Sequence, residues 1–97
     1  MDSNSRLVIS SRVREKLQEK HEVTEEEVTE CFCGRGNLLV DTREDHATDP
    51  PTLWFIGETN YGKRLKIVFV EKEGVVFIKT AYPPNSEEER IYRKYGQ

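Results

Sequence analysis

Residues 53–82 constrain the fold more than any other stretch of the chain. They form three runs rich in β-branched and aromatic residues, interrupted at two short polar points that contain glycine. The first interruption is Asn60-Tyr61-Gly62-Lys63 and the second is Glu73-Gly74. Such short connections join antiparallel neighbours, so the stretch reads as two consecutive β-hairpins. With two-residue loops, Lys66 falls opposite Gly57 and Ala81, and Val68 opposite Phe55 and Lys79. One face then carries Trp54, Ile56, Leu65, Ile67, Phe69, Val76, Ile78 and Tyr82 and is the expected core. The other is mixed: Phe55, Gly57, Thr59, Arg64, Lys66, Val68, Phe77, Lys79 and Ala81. A strand's side chains alternate with period two, so a one-residue slip would exchange the faces.

The flanking segments supply helices. Ser10 or Ser11 can cap a helix over residues 12–21, with Val13 and Leu17 on one face. His21 sits in its last turn, where positive charge suits the helix dipole. Thr24 and Glu27 form a capping box for a second helix, and Val23 and Val28 have staple spacing. Val28, Cys31 and Phe32 give its buried face, and Gly34 and Gly36 end it. Residues 38–41 can form a short strand. Residues 6–9 are an edge strand or a lead-in to the first helix. After Pro83-Pro84-Asn85, Ser86 and Glu89 suggest a second capping box, opening a helix with Ile91 and Tyr95 on one side. The predicted class is α+β: two N-terminal helices on one face of an antiparallel meander of about four strands, then a short C-terminal helix.

At 97 residues the chain is expected to be one domain, with residues 1–5 a loose tail. Apolar residues make up 35% and charged residues 34%, but the apolar ones fall into periodic segments, so the chain reads as folded. A net charge of −3 excludes a global footprint for nucleic acid, and any RNA contact has to use a local basic patch. No run approaches the roughly 20 apolar residues of a membrane span. No apolar signal core is visible at the start, so a cytoplasmic protein without membrane contact is expected. Cys31 and Cys33, one residue apart, read as two reduced thiols near a helix end.

The mixed face holds the candidate chemistry. Cations at Arg64, Lys66 and Lys79 can hold phosphates, and Phe55 and Phe77 can stack bases. RNA cleavage needs the 2′-oxygen in line with phosphorus and the growing negative charge stabilised. Lys and Arg suit the second task, and Tyr61, Glu58 and Tyr82 at the strand ends are candidates for proton transfer. The plainer reading is that exposed cations keep the sheet soluble and its edges unpaired. Residues 42–52 include Arg43, Asp45, His46 and Asp49, which could serve a metal hydrolase, but they have no recognised ligand spacing and read as a solvated loop.

The order of elements resembles the BrnT branch of the bacterial RelE/ParE toxin superfamily. Lys20-His21 followed by Thr24-Glu25-Glu26 is similar to that family's "KHG, then an acidic second helix" opening. Gly62-Lys63-Arg64-Leu65-Lys66-Ile67-Val68 is similar to its "G-R-x-L-x-V-V" strand. Glu89-Arg90 with Tyr92 resembles its closing "E-R-x-x-Y" helix, one residue short. Two positions depart: Glu22 stands where the family has glycine, and Thr80-Ala81-Tyr82 lacks the arginine of its "S-A-R" segment, leaving Lys79 and Tyr82 to replace it. The resemblance implies the toxin component of a type II toxin–antitoxin pair, inhibiting translation by metal-independent mRNA cleavage, with no cofactor. Its partners would be a cognate antitoxin protein and mRNA or the ribosome, and a homodimer is compatible. On this reading Lys66, Lys79, Arg64 and Tyr82 are the catalytic candidates, and Lys63, Phe55, Phe77 and Arg90 the RNA-binding ones. The alternative is a non-catalytic RNA- or protein-binding module of the same fold. The ending Lys79-Thr80-Ala81-Tyr82, then Pro84-Asn85, also resembles small proteins labelled ADP-ribosyl-(dinitrogen reductase) hydrolase. That chemistry uses a two-metal carboxylate site in a much larger all-helical domain, which this sequence does not contain.

Overall fold

The computed structural model describes residues 6–34, 36–40 and 51–96. The N-terminal segment 6–9 is a true strand, β1 (Arg6–Val8). Ser10 then caps α1 (Ser11–Lys16), its hydroxyl accepting from the Val13 N–H at 3.2 Å. The helix widens into a π-helical turn over Leu17–His21 and stops at Glu22, whose φ of 54° is left-handed. A side chain at such a φ costs about 1 kcal/mol relative to glycine.

The second helix, α2 (Glu25–Cys33), opens with the expected capping box. Thr24 Oγ1 accepts from Glu27 N–H at 3.2 Å, and Glu27 Oε1 accepts from Thr24 N–H at 3.0 Å. The remaining strands are β2 (Leu39–Val40), β3 (Leu53–Glu58), β4 (Arg64–Lys72) and β5 (Val75–Tyr82). They form one five-stranded sheet in the order β1-β5-β4-β3-β2. β1 lies parallel to β5 and the other pairs are antiparallel, so the sheet is mixed and has one strand more than the expected meander.

Two local irregularities shift the register from the expected one. In the first hairpin the turn is Asn60-Tyr61-Gly62, closed by Thr59 N–H to Lys63 O at 2.8 Å, with Gly62 at φ 87°. Three residues replace the assumed two, as is common when a left-handed glycine ends the turn. In the second hairpin Glu73-Gly74 is the tight turn expected, and Lys72 pairs with Val75. Further along, however, a bulge intervenes: Phe69 pairs with Ile78 but Val68 with Thr80, leaving Lys79 as the extra residue. Lys66 therefore lies opposite Ile56 and Tyr82, not Gly57 and Ala81, and Val68 opposite Trp54 and Thr80, not Phe55 and Lys79.

The faces change accordingly. Phe55, Gly57, Leu65, Ile67, Phe69 and Ala81 share the face beneath α1 and α2. Phe32 of α2 packs edge-on to Phe55 (ring centroids 4.9 Å apart) and Phe69 (5.2 Å). Gly57 is the point of closest approach: a Cβ there would lie 2.9 Å from Cys31 Cβ. Trp54, Ile56, Arg64, Lys66, Val68 and Tyr82 take the opposite face. Leu65, Ile67, Phe69, Val76 and Ile78 are core residues as expected; Trp54 and Ile56 are buried too, but on the opposite face, and Tyr82 there is only half-buried.

The last helix, α3 (Ser86–Tyr95), lies over part of that second face, with Tyr92 buried against Trp54 at a 5.8 Å ring separation. Its cap is Asn85, not Ser86, and its capping partner is Glu88, not Glu89. Asn85 has the extended backbone of an N-cap, and asparagine serves there as well as serine. This one-residue shift leaves Glu89 with no capping role.

Candidate functional site

Alternation along β4 puts Arg64 and Lys66 on one side of the sheet, two residues apart, and β5 brings Tyr82 opposite Lys66. The chain then turns at Pro83-Pro84 and lays the first turn of α3 across them. Glu88 works with both carboxylate oxygens. Oε1 accepts from the Asn85 N–H at 3.0 Å, while Oε2 accepts from Lys66 Nζ at 2.9 Å and Tyr82 OH at 3.0 Å. Lys66 is 2% exposed, and its ammonium also lies 4.5 Å from the Trp54 ring centroid. Burial pushes the Glu88 carboxyl up, but the Asn85 N–H, Lys66 and Tyr82 together hold it below its ordinary value.

Arg64 binds Glu89 through a fork: Nε to Oε2 at 2.9 Å and Nη2 to Oε1 at 2.8 Å. The hydrogen bonds from Arg64 lower the Glu89 carboxyl, and the same bonds raise the Arg64 guanidinium. Glu58 Oε1 is a more distant partner, 3.9 Å from Arg64 Nη1. His21, read as a helix-end charge, stacks at a tilt on Tyr82, with ring centroids 5.6 Å apart.

Three of the four catalytic candidates, Arg64, Lys66 and Tyr82, are thus brought together. Lys79 is not among them; it is the exposed extra residue of the β5 bulge. Lys63 fastens the β3–β4 turn to the helices, donating to Glu22 O at 3.2 Å with Glu27 Oε2 at 3.5 Å. Phe55 is fully buried and cannot stack a base, because the three-residue turn put it on the helix side. Phe77 is 40% exposed on the second face, opposite Val70 and away from the α3 cluster. Tyr61 is 95% exposed at the tip of its turn. Arg90 pairs with Glu87 and, with Arg64, Arg93, Asn85 and Ser86, lines a shallow groove of about 800 Å³.

Glu88 and Glu89 are the members of this cluster that sequence reasoning missed. The available signal was three consecutive glutamates after Ser86, more than one capping box uses. Lys66 with Glu88 and Arg64 with Glu89 make two balanced pairs, and Glu58 adds a third carboxylate at the edge.

Residues 43–49, read as a solvated loop in preference to a metal site, lie outside the described residues. Among the described residues no group of three His, Cys, Asp or Glu side chains converges to hold a metal. Cys31 is buried and Cys33 exposed, both free. Burial first, then Glu27, Glu30 and Glu58, push the Cys31 thiol up to about 11, which makes it a poor nucleophile. Among the described residues no helix is long and apolar enough to cross a membrane. Neither a protein-family model nor a curated protein matches the chain.

Proposed function

We propose that this protein is a toxin-type translation inhibitor that cleaves mRNA without a metal, using Arg64, Lys66 and Tyr82. The observation that carries this reading is their convergence on one sheet face where β4 starts and β5 ends. Arg64 offers a planar fork to phosphate oxygens, and Lys66 a compact positive charge for the pentavalent phosphorus. Tyr82, on the same face opposite Lys66, is the candidate to give a proton to or take one from an RNA oxygen. Arg90 and Arg93 extend the positive surface along the groove beside Arg64. The order of two helices, a meander and a closing helix supports the RelE-like reading, to which β1 adds a strand, and a cognate antitoxin would be the partner.

Induced expression in a bacterial host is expected to arrest growth, and primer extension on cellular mRNA to show new 5′ ends. Arg64→Gln together with Lys66→Met should abolish both. Arrest that persists undiminished in that variant would remove the mechanism.

The depth of Lys66, 2% exposed and already paired, favours a second reading: a non-catalytic RNA- or protein-binding module. That reading expects the wild-type chain to bind RNA or a protein partner and leave every RNA intact.

A further inference from the structure

We propose that the first turn of α3 is an autoinhibitory latch, its Glu88 and Glu89 carboxylates occupying the places at Lys66 and Arg64 that RNA phosphates would take. The inference rests on the RNA-directed reading above and concerns how that site is regulated.

The chemistry of the contacts is the first ground. A carboxylate and a phosphodiester each present a pair of anionic oxygens, and the Arg64 fork on Glu89 is the geometry a guanidinium makes with either. Lys66 likewise meets one anionic oxygen at 2.9 Å. Two successive residues of α3 therefore satisfy both cations of the site at once.

The second ground is how the turn is fastened. Tyr92 is the buried residue of α3, and it lies more than a turn beyond Glu88. It rests on Trp54 and donates its hydroxyl to Asn37 O at 2.7 Å. Ser86, Glu87 and Arg90 are exposed, and Glu88 and Glu89 half-buried, so the near end of the helix buries no apolar side chain. Charge holds the near end and apolar packing holds the far end. The near end is preceded by Pro83-Pro84, two residues with no N–H to tie the connection to the sheet.

The third ground is an approach path. Arg64, Arg90 and Arg93 line the open groove beside this turn. A polyanion entering along Arg90 and Arg93 reaches Arg64 first, competes with Glu89 there, and then meets Lys66 beneath Glu88. The turn swings away while Tyr92 keeps the far end seated.

The test measures the full chain against a short fluorescein-labelled single-stranded RNA by anisotropy, with acylation of Lys66 by an amine-reactive reagent read by mass spectrometry. Glu89→Gln is expected to tighten RNA binding about threefold, and Glu88→Gln with Glu89→Gln about tenfold with a steeper salt dependence, because freed cations release more counterions. Acylation of Lys66 should speed up in the double variant, and in the wild type once RNA is added. Glu89→Gln leaves the buried Lys66–Glu88 pair in place, so it decides the case if the double variant does not fold. RNA binding unchanged or weaker in folded Glu89→Gln overturns the latch. So does tight wild-type binding that leaves Lys66 as protected as before, though the RNA reading would then survive. If no form binds RNA, the RNA reading falls and the latch built on it falls with it, whereas wild-type RNA binding that Glu89→Gln fails to tighten removes the latch alone.

Discussion

The two faces of this sheet use alternate residues of the same strands and are held by different forces. Under α1 and α2, Phe55, Leu65, Ile67, Phe69 and Ala81 are essentially without exposure and meet other apolar groups. Under α3, the neighbours along the same strands, Arg64, Lys66 and Tyr82, meet carboxylates. Burying apolar area is stabilising whatever the orientation of the groups. Burying an ion pair returns little, because desolvation offsets much of the attraction, and well-packed apolar substitutes often do as well. Apolar burial, under α1 and α2 and again where Trp54, Ile56, Val68 and Tyr92 meet under α3, is therefore the source of stability. The cluster of Arg64, Lys66, Glu88 and Glu89 is the part whose composition stability does not require.

The sharpest way to break that contrast is Phe55→Ala. It should cost about 4 kcal/mol in urea unfolding, the loss expected for emptying a packed aromatic site. A cost below about 1 kcal/mol would mean the helix face is not the core.

Next in size is Lys66→Ala, expected to cost about 3 kcal/mol because it strips Glu88 of its counter-charge in a buried place. Replacing both partners, Lys66→Met with Glu88→Gln, should cost much less. Equal costs for the two variants would make the pair a structural element like the apolar face.

Glu22→Gly should stabilise by about 1 kcal/mol by relieving the left-handed backbone. It touches neither sheet face and serves as a control.

A smaller effect separates the faces by acid. The Glu88 and Glu89 carboxyls are held below their ordinary value of 4.5 in the folded chain. Their contribution is therefore full above that value and is lost as pH falls through the lower folded values. The Lys66→Met, Glu88→Gln protein should lose less stability on acidification than the wild type. Smallest of all, Glu89→Gln alone should cost under about 1 kcal/mol, since Arg64 is 40% exposed and solvent screens its pair.

Much of the sheet was readable because β4 alternates cleanly: Arg64 and Lys66 against Leu65, Ile67 and Phe69. The α2 capping box and the Glu73-Gly74 turn were equally legible, being local chemistry. Leu53-Trp54-Phe55-Ile56 was not, because a continuous apolar run carries no alternation and its register comes from the turn that follows. The turn's third residue and the bulge at Lys79 each shift pairing by one, and neither has a distinct local signal. Hence Arg64 and Lys66 could be read as neighbours on one face, while Tyr82 was read on the other face and Phe55 and Lys79 were placed beside the cations wrongly. Glu88 and Glu89 were hidden for another reason. Acidic residues at a helix start are explained by the dipole and the cap, so their tertiary partners left no mark on the sequence.

The most direct test of the charged face as the working face is inhibition of a reporter in a cell-free translation system. The wild-type chain should stop synthesis with cleavage of the reporter mRNA. Arg64→Gln with Lys66→Met, checked for folding by circular dichroism, should be weaker by about a hundredfold or more, the scale of losing charge stabilisation at the transition state. Equal inhibition by the two proteins, or none by the wild type at any concentration, would contradict the account.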